Sequence, residues 1–221
     1  MAVTALFLAA IGGIIAWWLS RQRLTAKPWL EEGAAGEFPG AGASSLPAAK
    51  IGLGVFLAVV GALFALFISA YSMRMHMGHD GHLAVPRLLW LNTIVLILSS
   101  VALQRALVSA RRGRMGGVRE RLLAGGVSAI AFLAGQLLAW QQLAEAGYFL
   151  ATSPAVAFFY MITAVHGLHL MGGLVALGRT AAKVQNGFDM DQVRLSVELC
   201  ATYWHFLLLV WLVLFGLLLL T

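Results

Sequence analysis

Residues 198–220 read ELCATYWHFLLLVWLVLFGLLLL, with one carboxylate at the start, Glu198, and no Asp, Lys or Arg after it. Wound as an α-helix at about 1.5 Å per residue, such a run crosses the roughly 30 Å hydrocarbon core of a bilayer. Working outward from it, five more stretches of similar length and character appear, at 2–20, 51–73, 88–108, 122–143 and 154–178. The composition agrees. Hydrophobic residues make up 61% of the 221 and charged residues 11%, whereas soluble domains run near half apolar and about a quarter charged. A soluble core could not hide that much apolar surface.

The formal net charge of +6 could suggest a nucleic-acid partner. The basic residues, however, sit in the short gaps between apolar runs, where they set membrane orientation, so no nucleic-acid partner is expected. Of the 15 Lys and Arg residues, 13 lie on one side: Arg21, Arg23, Lys27 and Lys50 after the first run, then Arg105, Arg111, Arg112, Arg114, Arg119 and Arg121 after the third, then Arg179, Lys183 and Arg194 after the fifth. Only Arg74 and Arg87 lie on the other side. By the positive-inside rule this predicts an all-α, polytopic membrane helix bundle with six transmembrane helices and both the N-terminus and the C-terminus in the periplasm. Trp17, Trp18, Tyr71, Trp90, Trp140 and Tyr148 fall near span ends, as interfacial anchors do.

The first run has no basic residue before it and three soon after, the reverse of a cleavable signal peptide, so residues 1–20 are expected to stay as an extra N-terminal anchor. Residues 21–49 follow as a cytoplasmic linker; within it, EEGAAGEFPGAGASSLPAA (31–49) is rich in Gly, Ala, Pro and Ser and has no apolar period. Residues 50–221 form a five-helix domain. No repeat of the inverted kind seen in many transporters is present. The single cysteine, Cys200, falls inside an apolar run, so it frames no disulfide and reads as a small buried hydrophobe.

Polar groups at membrane depth are the best pointers to function, because lipid cannot satisfy them. The fifth run holds Tyr160, Thr163, His166 and His169; the sixth opens with Glu198 and continues Tyr203-Trp204-His205. A short connection joins the two helices, so these sets are expected to face each other. Three readings compete. His169 and His205 could be the two axial ligands of a b-type haem. His166, His169 and Glu198 could form a proton relay. All of them could be hydrogen-bonding groups between packed helices. Separately, the connection after the second run carries His76, His79 and His82 among Met73, Met75 and Met77, a donor set that suits copper in either oxidation state and that a solvated polar connector would also display.

The run from Phe159 to Gly173, FYMITAVHGLHLMGG, resembles the helix FYxLTGxHGxHVxxG of subunit III of bacterial haem–copper respiratory oxidases, cytochrome c and quinol oxidases alike. Glu198 with His205 seven residues on, in YWHFLLLVWLVLF, is similar to the final helix of that family. Leu91-Asn92-Thr93 with Ser99-Ser100 resembles its LNT…SS helix, and Lys50-Ile51-Gly52 with Ser69-Ala70-Tyr71 the helix that begins K-x-G and ends SAY. The four matches come in the order of the family and cover 50–220. What the resemblance implies is a non-catalytic accessory subunit that binds no haem, copper or flavin of its own, the haem and copper residing in partner subunits. It implies packing on subunit I, association with subunit II, phospholipid held between helix groups, and support of stability and proton uptake during oxygen reduction, in a multi-pass protein of the bacterial inner membrane. On that view Thr163, His166, His169, Glu198, Tyr203, Trp204 and His205 are packing or lipid-facing groups, and Gly167, Gly172 and Gly173 allow close helix approach. Two positions depart from the pattern: Val60 stands where many members carry Glu, and Leu208 where many carry Asp. The helix count also departs, since the family has seven helices in its long form and five in its short. The reading from a different class is a redox-active, cytochrome b-like electron carrier or a transporter acting alone.

Overall fold

The computed structural model describes residues 13, 48–75, 87–149, 154–187 and 189–220. Among these, five helices are long and apolar enough to cross a membrane: α1 (Ala48–Met75), α2 (Leu88–Arg111), α3 (Met115–Glu145), α4 (Pro154–Gln185) and α5 (Met190–Leu220). This corrects the expectation of six transmembrane helices to five. Apolar length decides which segments can enter a bilayer, not how many helices a folded chain presents. Apart from Gly13, the segment 2–20 lies outside the described residues, as do the linker up to Pro47 and the His76, His79 and His82 connection.

The helices run past the apolar stretches that announced them. Helix α3 begins at Met115 rather than at 122, and α5 at Met190 rather than at 198. The added turns carry Arg119 and Arg121 in one case and Asp191 and Arg194 in the other. Long basic side chains at a helix end can reach the headgroup layer while their backbone stays helical. Asp191 in the first turn of α5 also complements the positive end of the helix dipole. Pro154 opens α4, where a missing N–H breaks no intrahelical bond.

Three helix ends are followed by a glycine at positive φ, Gly187 (φ 69) after α4 among them. Gly113 and Gly147 sit at φ 70 and 85, the left-handed region in which a Cβ is strained. Both close the same C-terminal motif. After α3, Gly147 N–H donates to Ala144 O at 3.0 Å and Tyr148 N–H to Leu143 O at 2.9 Å; after α2, Gly113 N–H donates to Ala110 O at 3.1 Å and Arg114 N–H to Ser109 O at 3.0 Å. The second motif lets α3 start within four residues of the end of α2.

The chain divides into two compact units, 1–65 and 66–221, with the boundary inside α1. The second unit contains the packed core. In it α2 packs on α3, α3 on α4, α4 on α5, and α5 returns to α2, an up-and-down ring of four antiparallel helices. Small residues set the spacing. A Cβ on Gly125 would lie 3.1 Å from Leu103, one on Gly126 2.9 Å from Leu177, and one on Gly173 2.8 Å from both Tyr203 and Trp204. Without a hydrophobic force between helices in lipid, such close approach is a main source of association.

Candidate functional site

The polar groups at membrane depth are organised around α5, the helix with which the sequence reading began. Trp204 and Trp211 are seven residues apart, two turns on one face, and both are fully buried. Each indole donates to a hydroxyl on α2: Trp204 Nε1 to Ser99 Oγ at 2.9 Å and Trp211 Nε1 to Thr93 Oγ1 at 3.0 Å. Each hydroxyl passes its own proton on, Ser99 to Gly125 O at 2.7 Å and Thr93 to Leu89 O at 2.8 Å. Ser99 therefore ties three helices through one oxygen. Of the candidates named from the sequence, Trp204 is thus a bridge from α5 to α2.

His205 belongs to the same seam. Its Nδ1 lies 2.5 Å from Ser100 Oγ and its Nε2 3.0 Å from Gln104 Oε1. Because a carboxamide oxygen can only accept, Nε2 carries the proton and Nδ1 accepts from the Ser100 hydroxyl. Both ring nitrogens are engaged, and both with α2.

His169 lies on the other side of α5. Its Nδ1 donates to Val165 O at 2.8 Å within α4, and Tyr203 Oη donates to His169 O at 2.9 Å across the helix pair. Tyr203 and His169 thus face each other, as expected of the α4 and α5 sets, whereas His205 turns away to α2. That division separates the two proposed haem ligands onto different faces of α5. The proton-relay reading meets a gap instead. Glu198 sits on the stretch of α5 bracketed by Thr180 against Cys200 at 3.3 Å and Lys183 donating to Ser196 at 3.1 Å. This level of α4 is about 18 Å along the helix from His169, at 1.5 Å per residue.

His166 points into the ring of helices, fully buried. Its ring centroid is 5.2 Å from Trp211 at an interplanar angle of 35° and 6.0 Å from Phe132, while Phe132 meets Trp211 edge-on at 4.8 Å. Three helices thus contribute one aromatic layer. One turn away, Thr163 donates to Phe159 O at 2.7 Å and accepts from Trp140 Nε1 at 3.1 Å. Tyr160 Oη, 3.2 Å from both Trp140 O and Tyr148 O, closes that end of the α3–α4 pair. Among the described residues no three His, Cys, Asp or Glu side chains group as a metal would require.

Of the three glycines expected to allow close approach, Gly173 does so against Tyr203 and Trp204, Gly167 meets only Leu133 at ordinary contact distance, and Gly172 has nothing within 4 Å.

Residues that the sequence reading passed over are Trp211, Gln104 and Gln136, and Trp140 was read only as an interfacial anchor. The heptad separation of Trp204 and Trp211 was a usable signal; their partners on α2, Ser99 and Thr93, are six apart. Gln136 gave no such signal. It is buried, and neither amide atom has a hydrogen-bond partner among the described residues. Asn92 packs so closely on neighbouring Gly135 that a Cβ there would overlap its amide.

Residues 50–220 match the family model for cytochrome c oxidase subunit III. The chain belongs to that family. It is 31% identical over 176 residues to cytochrome c oxidase subunit 3 of Thermostichus vulcanus, covering 76% of this chain and 85% of that protein. It is 34% identical over 124 residues to a probable cytochrome c oxidase subunit 3 of Mycobacterium leprae, covering 56% and 61%. It is also similar, at 24% identity over 169 residues, to the cytochrome bo(3) ubiquinol oxidase subunit 3 of Pseudomonas aeruginosa, covering 74% and 80%. The matched range takes in α2 to α5 whole, so every tie described above lies within the family's region. A multi-pass membrane protein that is the third subunit of a haem–copper oxidase is the identity that fold and family share, and it implies association with other oxidase subunits.

Proposed function

We propose that the chain is a non-catalytic accessory subunit of a terminal oxidase in a bacterial inner membrane. It packs mainly on the catalytic subunit I, associates with subunit II, retains phospholipid, and prolongs the working life of the complex while haem and copper stay in its partners. The observation that supports this reading best is the employment of its polar residues. Ser99, Thr93, Tyr203, Trp204, Trp211 and His205 each make at least one hydrogen bond to a neighbouring helix of the same chain. His205 has no ring nitrogen left for a metal, and a haem iron would have to displace either Ser100 or Gln104 from it.

Packing, lipid retention and local electrostatics are then the means by which the chain acts on a reaction carried out elsewhere. Removing it exposes a face of its partner to lipid, which cannot satisfy polar groups. A complex lacking the chain is expected to keep its haem spectrum and a measurable initial rate and to inactivate faster during continuous turnover. His205→Leu is expected to give a milder form of the same behaviour, on the order of 1 kcal/mol in helix association. Initial rate, inactivation half-life and reduced-minus-oxidised spectra of the three complexes decide it. Loss of haem signal on His205→Leu would show a ligand where we place a strut, and would overturn the proposal.

A further inference from the structure

Helix α3 turns one stripe toward the middle of the helix ring. Gly125 meets Leu103 of α2 and Gly126 meets Leu177 of α4, and between these two directions Leu122, Ala129, Gln136 and Leu143 recur every seven residues, all buried. Three of the four are hydrocarbon. Gln136 is the exception, 4% exposed and so out of reach of both lipid and bulk water. Asn92 of α2, 3% exposed, comes to the same level. Its carboxamide lies against Gly135, the residue before Gln136, with Nδ2 3.1 Å from where a Cβ would stand. Ordered contacts bound this level on both sides. Phe132, one turn before Gln136, meets Trp211, whose indole donates to Thr93 beside Asn92, and Trp140, one turn after, donates to Thr163.

Asn92 Nδ2, Gln136 Nε2 and Gln136 Oε1 are buried there and meet no hydrogen-bond partner among the described residues. The hydroxyls on either side are already engaged: Thr93 donates to Leu89 O and accepts from Trp211, and Thr163 donates to Phe159 O and accepts from Trp140. Buried amides left in this state are costly, and ordered water is the usual answer to them. The donor and acceptor set selects the same ligand. A cation would find one oxygen and two N–H2 groups, and an anion would find a carbonyl oxygen in its way. A water molecule accepts from both donors and donates to the acceptor. Gly135 and Ala139, one turn apart on the side of α3 that faces Asn92, are small, so α3 places no hydrocarbon bulk beside that amide. Asn92 also stands only four residues inside the start of α2, about 6 Å along its axis, a short way in for water.

We propose that Asn92 and Gln136 form an internal hydration site, one water molecule held inside the helix ring and bridging α2 to α3. It accepts from Asn92 Nδ2 and Gln136 Nε2 and donates to Gln136 Oε1, the last two lying side by side on one carboxamide. The site lies wholly within this chain, and so does not depend on which subunits surround it. It supplies a second polar tie between α2 and α3, about 15 Å along α3 from the direct one that Ser99 makes to Gly125 O. A bridging water is nearly as good as a direct hydrogen bond but gives up freedom when it is held. Gln136→Leu removes amide and water together and is therefore expected to fold as the parent does.

A cryo-electron microscopy map of the complete purified oxidase, at a resolution that shows ordered water, tests this. A solvent peak is expected inside the helix ring, about 2.7–3.2 Å from both Asn92 Nδ2 and the Gln136 carboxamide, and it is expected to be lost from the Gln136→Leu oxidase. A direct hydrogen bond between Asn92 and Gln136 with no peak beside them overturns the inference, as does a peak that Gln136→Leu leaves in place. Infrared spectroscopy gives a second reading. The spectrum of the parent oxidase minus that of Gln136→Leu is expected to hold an O–H stretching band that shifts when ordinary water is exchanged for heavy-oxygen water. A difference spectrum with amide bands alone, unmoved by that exchange, overturns the inference as well.

Discussion

Gly173→Ala and Gly172→Ala add the same methyl group to adjacent positions of one helix, and the structure predicts opposite outcomes. A Cβ at Gly173 would stand 2.8 Å from a ring carbon of Tyr203 and 2.8 Å from one of Trp204. Neither ring can turn aside freely. Trp204 is fully buried and its indole is committed to Ser99 at 2.9 Å, while Tyr203 is committed to His169 O at 2.9 Å. Relief must come from separating α4 and α5 or from breaking one of those bonds. Overpacking of this kind costs about 1–3 kcal/mol, and an interhelical hydrogen bond in a membrane contributes about 0.6–1.7 kcal/mol. We expect Gly173→Ala to destabilise the bundle by about 2–3 kcal/mol, and Gly172→Ala, exposed with nothing within 4 Å, to stay within about 0.5 kcal/mol of the parent. The higher helix propensity of alanine does little to offset the first value, because transmembrane helices persist in the unfolded reference state of a detergent titration. Unfolding in mixed micelles of increasing SDS fraction, followed by tryptophan fluorescence, measures both. Equal midpoints for the two variants, or a more stable Gly173→Ala, would refute the close approach of α4 to α5.

Ser99→Ala removes an oxygen that serves Trp204 and Gly125 at once, leaves a buried indole N–H unanswered, and is expected to lower stability by about 1–2 kcal/mol in the same titration. Gln136→Leu replaces a buried amide that has no partner among the described residues by a hydrocarbon of similar volume; stability is expected to hold or rise by about 1 kcal/mol, and a clear loss would show the amide to be engaged. Single cysteines at Ala146 and Asn186, both exposed beyond helix ends, test orientation: an impermeant thiol reagent on intact cells should reach the first and not the second, and the reverse labelling would contradict the charge argument.

Amino-acid type and order were enough to establish a helical membrane protein, the positions of its five described helices to within a few turns, its family, and the facing of Tyr203 toward α4. Those features follow from local quantities. Apolar length per helix is a property of a segment, the basic bias is a property of its flanks, and the run from Phe159 to Gly173 carries the family's pattern within a single helix. The described residues hold five spanning helices against the six expected, the span expected at 2–20 lying outside them apart from Gly13, and the starts of α3 and α5 were placed late because charged turns at an interface look like loop to a hydropathy reading. Rotation about each helix axis was beyond reach of the sequence. Whether His205 faces α4 or α2, whether Gly172 or Gly173 meets Trp204, and whether Gln104 lies inside or outside the ring differ by a turn of about 100° per residue, which hydrophobicity cannot register in helices apolar on nearly every side. Only the tertiary packing decided these, because close contacts at small residues and hydroxyl-to-indole bonds between distant segments fix the rotation of helices that lipid would accept in any orientation.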